Sequence, residues 1–324
     1  MFQLSLRNCV YVALVSLGLF CLKRYMRGAV YTGTERLDGK VVLITGANAG
    51  IGRETALELA ARGAHVVMAC RDRDKCSRAR DQISAITGNS PVCMKLDLAS
   101  FSSIRSFAEK FNEKYNRLDV LINNAGIMRT PKLQTTEDGL ELQCGVNHFG
   151  HFLLTNLVLA KLKAAAPSRI IVVSSTAHKF GSIDLSSIAT GSDKYDPSKF
   201  YFQSKLANVL FANELSRRLE NTGVTVNSLH PGMILTDLWK NIPFIHSVLG
   251  RIVFEPVKYF CFITPREGAQ TSLRLALDAS LEGVTGQYFS DCRQTDPAPV
   301  ALDQQVARDL WELSETVTRL RQEQ

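Results

Sequence analysis

Residues 40–52 read Lys40-Val-Val-Leu-Ile-Thr-Gly-Ala-Asn-Ala-Gly-Ile-Gly52. Val41 to Ile44 are apolar without a break, as expected of a strand buried on both faces. The run then breaks at Thr45-Gly46, with further glycines at Gly50 and Gly52. From Ile51 onward Ala56, Leu59 and Ala60 recur at helical spacing. The order is strand, glycine turn, helix N-terminus. That order suits a phosphate, because the first helix amides lack internal acceptors and glycines let the backbone approach closely.

Beyond this stretch, strand and helix patterns alternate. Strands are expected at His65–Cys70, Val92–Leu96, Asp119–Ala125, Arg169–Ser175, Val224–His230 and Gln287–Ser290. Helices are expected near 51–62, 74–86, 102–115, 138–164 and 198–220. This alternation predicts an α/β fold: a single doubly wound parallel sheet of about seven strands with helices on both faces. An apolar stripe at Val306, Leu310, Leu313, Val317 and Leu320 predicts a packing helix near the C-terminus.

The 324 residues are 45% hydrophobic and 21% charged, within the range of one globular domain with a large core. The net charge of +7 suits a membrane-facing surface, and no basic run interleaved with aromatics points to nucleic acid as a partner. The eight cysteines form no CxxC pair, and Cys70, Cys93 and Cys144 sit in apolar surroundings, so they read as reduced thiols.

The N-terminus differs in character. Cys9 to Leu22 is mostly apolar and is followed by Lys23, Arg24 and Arg27. With no clear cleavage site, residues 1–27 read as an uncleaved membrane anchor and 28–37 as a linker to a domain over 38–324. The basic residues after the anchor place that domain on the cytosolic side. Residues 238–264 are too apolar for an exposed loop and follow the sixth strand, which suggests a lid over a lipophilic substrate.

Three groups fall at expected carboxyl ends of strands: Asn123-Asn124-Ala125-Gly126, Ser174-Ser175, and Tyr201-Phe-Gln-Ser-Lys205 on the helix that follows. Tyr201 and Lys205, four apart, share one helical face. An ammonium beside a phenol favours the phenolate, so Lys205 is expected to lower the Tyr201 pKa and fit it for proton exchange. A serine hydroxyl can hold the same oxygen. With a dinucleotide on the glycine loop, the set suits hydride transfer to a carbonyl.

These motifs, with Pro231-Gly232, resemble the signature set of the short-chain dehydrogenases/reductases over about residues 38–295. Within that family the chain is most similar to the membrane-anchored retinol dehydrogenase group, on Gly145-Val-Asn-His-Phe-Gly-His-Phe-Leu-Leu-Thr155, Cys70-Arg-Asp72, Ser204-Lys-Leu-Ala-Asn208 and Gly268-Ala-Gln-Thr-Ser272. The resemblance implies Tyr201 as general acid/base and Lys205 as the residue that tunes it and holds the nicotinamide ribose. It implies Ser175 as the serine that orients the substrate oxygen, and Asn147 as support for a proton-relay water. It places the cofactor on Gly46, Ala47, Asn48, Ala49, Gly50, Ile51, Gly52, Asp97, Leu98, Asn124, Ala125, Gly126 and Thr236.

An NAD enzyme places a carboxylate at the end of the second strand, and an NADP enzyme a cation. Here Cys70 stands at that place and Arg71 follows, which favours NADP(H), although a one-residue shift would bring in Asp72. The expected activity is reduction of retinaldehyde to retinol, with other lipophilic aldehydes or steroids as alternative substrates and a non-catalytic NADPH-binding membrane protein as the alternative class. The expected location is the endoplasmic reticulum membrane, or else a mitochondrial one, and a homodimer is a candidate assembly. His148 and His151 lack a third metal ligand in the sequence, and Ser175, His178 and Asp184 lack a nucleophile elbow, so metal and hydrolase readings are set aside.

Overall fold

A computed structural model describes residues 28–191, 194–232 and 262–320, with isolated residues between 11 and 23. In chain order the elements that place the site are β1 (Val41–Thr45), α1 (Gly50–Ala61), β2 (His65–Cys70), α2 (Arg73–Thr87), β3 (Val92–Lys95), α3 (Phe101–Lys114) and β4 (Val120–Asn123). A short α4 (Leu142–Cys144) passes through a π turn (Gly145–Phe149) into α5 (Gly150–Ala164), which is followed by β5 (Ser168–Val173), α6 (Pro197–Arg218) and β6 (Val224–His230). The chain closes with α7 (Pro265–Gly268), α8 (Gln270–Leu277), β7 (Tyr288–Ser290), β8 (Arg293–Gln294) and α9 (Gln304–Thr318).

The sheet has eight strands in the order β3-β2-β1-β4-β5-β6-β7-β8. Every neighbouring pair is parallel except β7 and β8. The extra strand corrects the expected seven. It is two residues long and follows a turn in which Asp291 and Cys292 both have positive φ, so no hydrophobic alternation announces it.

The pleat explains the unbroken apolar run in β1. Val41 and Leu43 enter the core layer with Phe107 of α3, Phe152 of α5 and Phe211 of α6, while Val42 and Ile44 enter the opposite layer with Leu59 of α1, Ile83 of α2 and Leu273 of α8. β1 pairs with both β2 and β4, so the chain direction across the sheet reverses there and a crevice opens at the carboxyl ends of β1 and β4.

α9 packs on α6 as its stripe predicts. Trp311 stacks on Phe211 with centroids 5.9 Å apart, meets Phe152 edge-on at 4.8 Å, and carries the Arg218 guanidinium 4.3 Å above its ring.

Residues 28–37 run along the domain. The Ala29 amide donates to Asp291, the Tyr31 amide to Gln270 Oε1 at 3.0 Å, and the Leu37 amide to the Arg62 carbonyl at 2.9 Å. The anchor expected over 1–27 and most of the lid expected over 238–264 lie outside the described residues. Among the described residues no helix is long and apolar enough to cross a membrane.

The cysteine reading needs a correction. Cys93 on β3 faces Cys76 in the first turn of α2, with Cα atoms 6.1 Å apart, and the two form a disulfide. Cys70, Cys144 and Cys292 are free and buried.

Candidate active site

The glycine loop leaves β1 at its carboxyl end. Gly46 and Gly50 have φ of +67° and +56°, where a side chain would be strained. A Cβ at Gly52 would lie 2.5 Å from both Asn124 Nδ2 and the Gly46 carbonyl oxygen, so only glycine lets the loop close on the 124–126 segment.

The start of α1 differs from those of α2, α3, α6 and α9; α5 also lacks a side-chain cap, but it continues directly from the π turn. α2, α3, α6 and α9 are capped by the side chains of Asp72, Ser100, Asp196 and Asp303. α1 begins after Ala49, which has no capping side chain, and its first turn holds no acid. Its leading amides are therefore left for an external acceptor, the arrangement a dinucleotide pyrophosphate requires. The residues present fit such a cofactor.

Where a ribose carboxylate would stand at the end of β2, Cys70 is buried and its thiol lies against the amides of Ala47 and Asn48. Burial pushes that thiol up to about 11, so it stays uncharged. Asp72 is turned to α2: its Oδ1 accepts the Lys75 amide at 2.9 Å, and this bond holds its carboxyl below the usual range. Arg71 is exposed.

Thr45 ties the loop to the next strand. Its Oγ1 accepts the amides of Asn124 and Ala125, both at 2.9 Å, and Asn124 Nδ2 donates to the Thr45 carbonyl at 2.8 Å. Asp97 accepts the Ala99 amide at 3.0 Å just past β3, while the Leu98 side chain is buried in the core.

The reactive groups lie on α6 and at the end of β5. Asp196 caps α6, Pro197 occupies its first turn, and almost every residue from Phe200 to Ser216 is buried. On its inner face Lys205 Nζ and Asn208 Nδ2 each donate to the Val173 carbonyl at 3.2 Å. Lys205 Nζ lies 5.9 Å from the centroid of the Tyr201 ring. Ser174 Oγ donates to the Lys205 carbonyl at 2.7 Å, which fixes the helix, whereas Ser175 Oγ accepts the Ala177 amide at 3.2 Å and lies near enough to Tyr201 to pull its pKa down.

Electrostatics depart from the simple expectation. Burial raises the Tyr201 pKa and outweighs the neighbouring Ser175 side chain and the charge of Arg129, which pull it down. The expected lowering by Lys205 is thus corrected: the ammonium sits over the ring, and Tyr201 is a protonated phenol. Burial also brings Lys205 down to about 8.

Asn147 sits in the π turn. Its Oδ1 accepts the Ile127 amide at 2.8 Å, and its Nδ2 donates to the Ile127 carbonyl at 2.9 Å and to Ser204 Oγ at 3.0 Å. A Cβ at Gly126 would come within 3.3 Å of Asn147 Oδ1 and 3.4 Å of Lys205 Nζ, so the asparagine, the lysine and the 124–126 segment converge.

The geometry therefore brings together Ser175, Tyr201, Lys205 and Asn147 beside the loop 46–52. Thr236 lies outside the described residues. His148 and His151 point to different partners, Ser314 and Thr45. A separate groove of about 690 Å³, lined by Lys40, Asp119, Arg169 and Gly223 among others, opens at the amino ends of the strands, away from this chemistry.

Arg129 was not among the sequence candidates. It follows the Asn-Asn-Ala-Gly segment with φ +51°, and its amide is held by Gln143 Oε1 at 2.6 Å. A cation five residues after a cofactor-facing asparagine was the available signal.

The chain matches the family model described as short chain dehydrogenase over residues 40–243. It belongs to the short-chain dehydrogenase family. Human retinol dehydrogenase 13 is 50% identical over 291 residues, covering 90% of this chain and 88% of that protein. Mouse retinol dehydrogenase 14 is 49% identical over 292 residues, covering 87% and 86%. Among solved structures, an uncharacterized protein from Mycobacterium paratuberculosis aligns with a TM-score of 0.72 and 34% identity, over 90% of this chain and 98% of that one. Membership of the short-chain dehydrogenase family makes the site that of a nicotinamide-dependent oxidoreductase.

Proposed function

We propose that this chain is an NADP(H)-dependent retinal reductase held at a membrane by residues 1–27. The observation that carries the reading is a protonated, buried Tyr201 set beside Ser175 and under Lys205, near the uncapped start of α1. Bound NADPH supplies the hydride. Ser175 and Tyr201 orient the carbonyl oxygen of an aldehyde between their hydroxyls. Tyr201 then donates its proton to that oxygen as negative charge develops there. A phenol whose pKa is raised by burial is protonated at neutral pH, the state that can give a proton to a carbonyl oxygen. Lys205 stabilises the phenolate left behind, and the Asn147 region, tied to Ile127 and Ser204, holds the path by which the proton is restored.

The cofactor preference rests on charge. With Asp72 committed to the α2 cap and Cys70 neutral, no carboxylate faces the adenosine ribose from the end of β2, and the exposed Arg71 suits a 2′-phosphate.

A lipophilic substrate is supported by the retinol dehydrogenase relatives and by an aromatic pair near the site. Phe180, 75% exposed, packs its ring 5.7 Å from Phe202, the neighbour of Tyr201. An endoplasmic reticulum membrane with the domain facing the cytosol fits the basic residues after the apolar segment, and a mitochondrial membrane is the alternative. Incubating detergent-solubilised full-length protein with NADPH and all-trans-retinal, and identifying the product by chromatography, tests the activity. Retinol is expected from the wild type and not from Tyr201→Phe; no retinol from the wild type contradicts it.

A further inference from the structure

His151 is fully enclosed at the start of α5, with a relative exposure of 1%. Its two ring nitrogens meet two parts of the site. Nδ1 lies 3.0 Å from the Asn147 carbonyl, and Nε2 lies 2.9 Å from Thr45 Oγ1. A carbonyl only accepts, so Nδ1 carries the proton and Nε2 accepts the Thr45 hydroxyl. One tautomer satisfies both bonds, and burial pushes the imidazole down to about 4, which keeps it neutral.

The two partners matter because of what they hold. Thr45 Oγ1, with its proton turned to His151, presents its lone pairs to the amides of Asn124 and Ala125. The Asn147 side chain is occupied by Ile127 and Ser204, so its carbonyl is the remaining handle on that residue. The carbonyl lies within the π turn, where the regular helical ladder is interrupted. No other side chain among the described residues hydrogen-bonds both Thr45 and Asn147.

We propose that His151 is a positioning residue that sets Asn147 at the proton-handling side of the site and Thr45 at the cofactor side in one fixed relation. The pair His148/His151, which from spacing alone suggests metal ligands, thus divides: His148 serves the α9 packing through Ser314 Oγ at 2.9 Å, and His151 serves the active site. The proposal rests on the hydride-transfer reading but not on the choice between cofactors.

Two substitutions separate the halves of the bridge. In His151→Asn the side-chain amide takes the place of Nδ1–H and keeps the bond to Asn147, while the reach to Thr45 is lost. In His151→Gln the longer amide oxygen takes the place of Nε2 and keeps the bond to Thr45, while the donor to Asn147 is lost. Leaving one buried partner unpaired is expected to change the affected constant about tenfold. His151→Asn should raise the cofactor Kd about tenfold and largely spare kcat at saturating cofactor. His151→Gln should lower kcat about tenfold and largely spare the cofactor Kd.

The experiment measures both constants, with NADPH and a retinaldehyde substrate, for full-length wild type and both variants in detergent, alongside the thermal midpoint of each. The split between Kd and kcat supports the bridge. Equal losses in both constants that follow the midpoint, unchanged constants in both variants, or failure of both to fold would overturn it and leave His151 a core residue. A wild type with no turnover would instead contradict the functional reading.

Discussion

Lys205 Nζ stands 5.9 Å from the centre of the Tyr201 ring, one helical turn along α6, and donates to the Val173 carbonyl at 3.2 Å. The lysine is therefore held by the end of β5 and reaches Tyr201 through the ring face. Removing the Tyr201 hydroxyl should lower kcat by about 10²- to 10⁴-fold, since proton transfer from a positioned group contributes that much. Steady-state turnover of Tyr201→Phe, with cofactor titration alongside, checks it. Cofactor binding should be kept, and unchanged turnover would remove Tyr201 from the chemistry.

Under the proposed NADP(H) preference, Arg71 is the cation that would meet a 2′-phosphate, since Asp72 is engaged by the Lys75 amide. Arg71→Ala should weaken NADPH binding by about ten- to a hundredfold and leave NADH nearly unchanged, because a charge-assisted contact to phosphate is lost only from the former. Fluorescence titration with both dinucleotides reads the difference. Equal weakening of both would assign Arg71 a general structural role.

The pH dependence of stability follows from the buried histidines, of which His148, His151 and His230 are displaced furthest and His178 in the same direction. His148 is brought down to about 3, and His151 and His230 to about 4, chiefly by burial. Each has a folded pKa below its unfolded value near 6.5, so between roughly pH 4 and 6.5 the unfolded chain binds more protons. Stability is then lost as pH falls through that window, with a slope of up to about 4 kcal/mol per pH unit for three groups. Urea midpoints at pH 7, 6 and 5 should fall in step. A flat series would contradict neutral burial of these rings.

Trp311 joins α9 to the body of the protein through Phe152, Phe211 and Arg218. Trp311→Ala should cost about 3–5 kcal/mol, the usual penalty for emptying a large aromatic site. Chemical denaturation measures this. A loss below about 1 kcal/mol would mean that α9 is not part of the cooperative core.

Much of this architecture is legible in the sequence because its signals are local. The run Val41–Ile44, the glycines at 46, 50 and 52, and the helix that follows specify strand, loop and helix without reference to the rest of the chain. Tyr201 and Lys205 share a face by helix geometry alone. Ser175 is picked over Ser174 by its place in the family motif, not by any local signal.

What was not legible depends on contacts far apart in the chain. β8 is set by the turn at Asp291 and Cys292 and by pairing with β7. Cys76 meets Cys93 only because α2 folds back along β3. The protonated state of Tyr201 depends on burial beneath several elements, which outweighs its neighbours' charges. Arg129, on the segment after β4, reaches Tyr201 by its charge only because Gln143 ties that segment to the start of α6. His151 shows the same limit: the sequence leaves it without a metal partner but does not say which residues its ring meets, and the fold sends it to Thr45 and Asn147 and His148 to Ser314.

The most direct measurement follows oxidation of NADPH and, separately, of NADH by the purified full-length protein in detergent, with all-trans-retinal and with nonanal. Turnover of retinal with NADPH, and much weaker turnover with NADH, is the predicted result. Turnover of nonanal alone, or equal use of the two cofactors, would contradict the retinal reductase account or its NADP preference. Bound NADPH with no oxidation on any aldehyde would contradict catalysis itself.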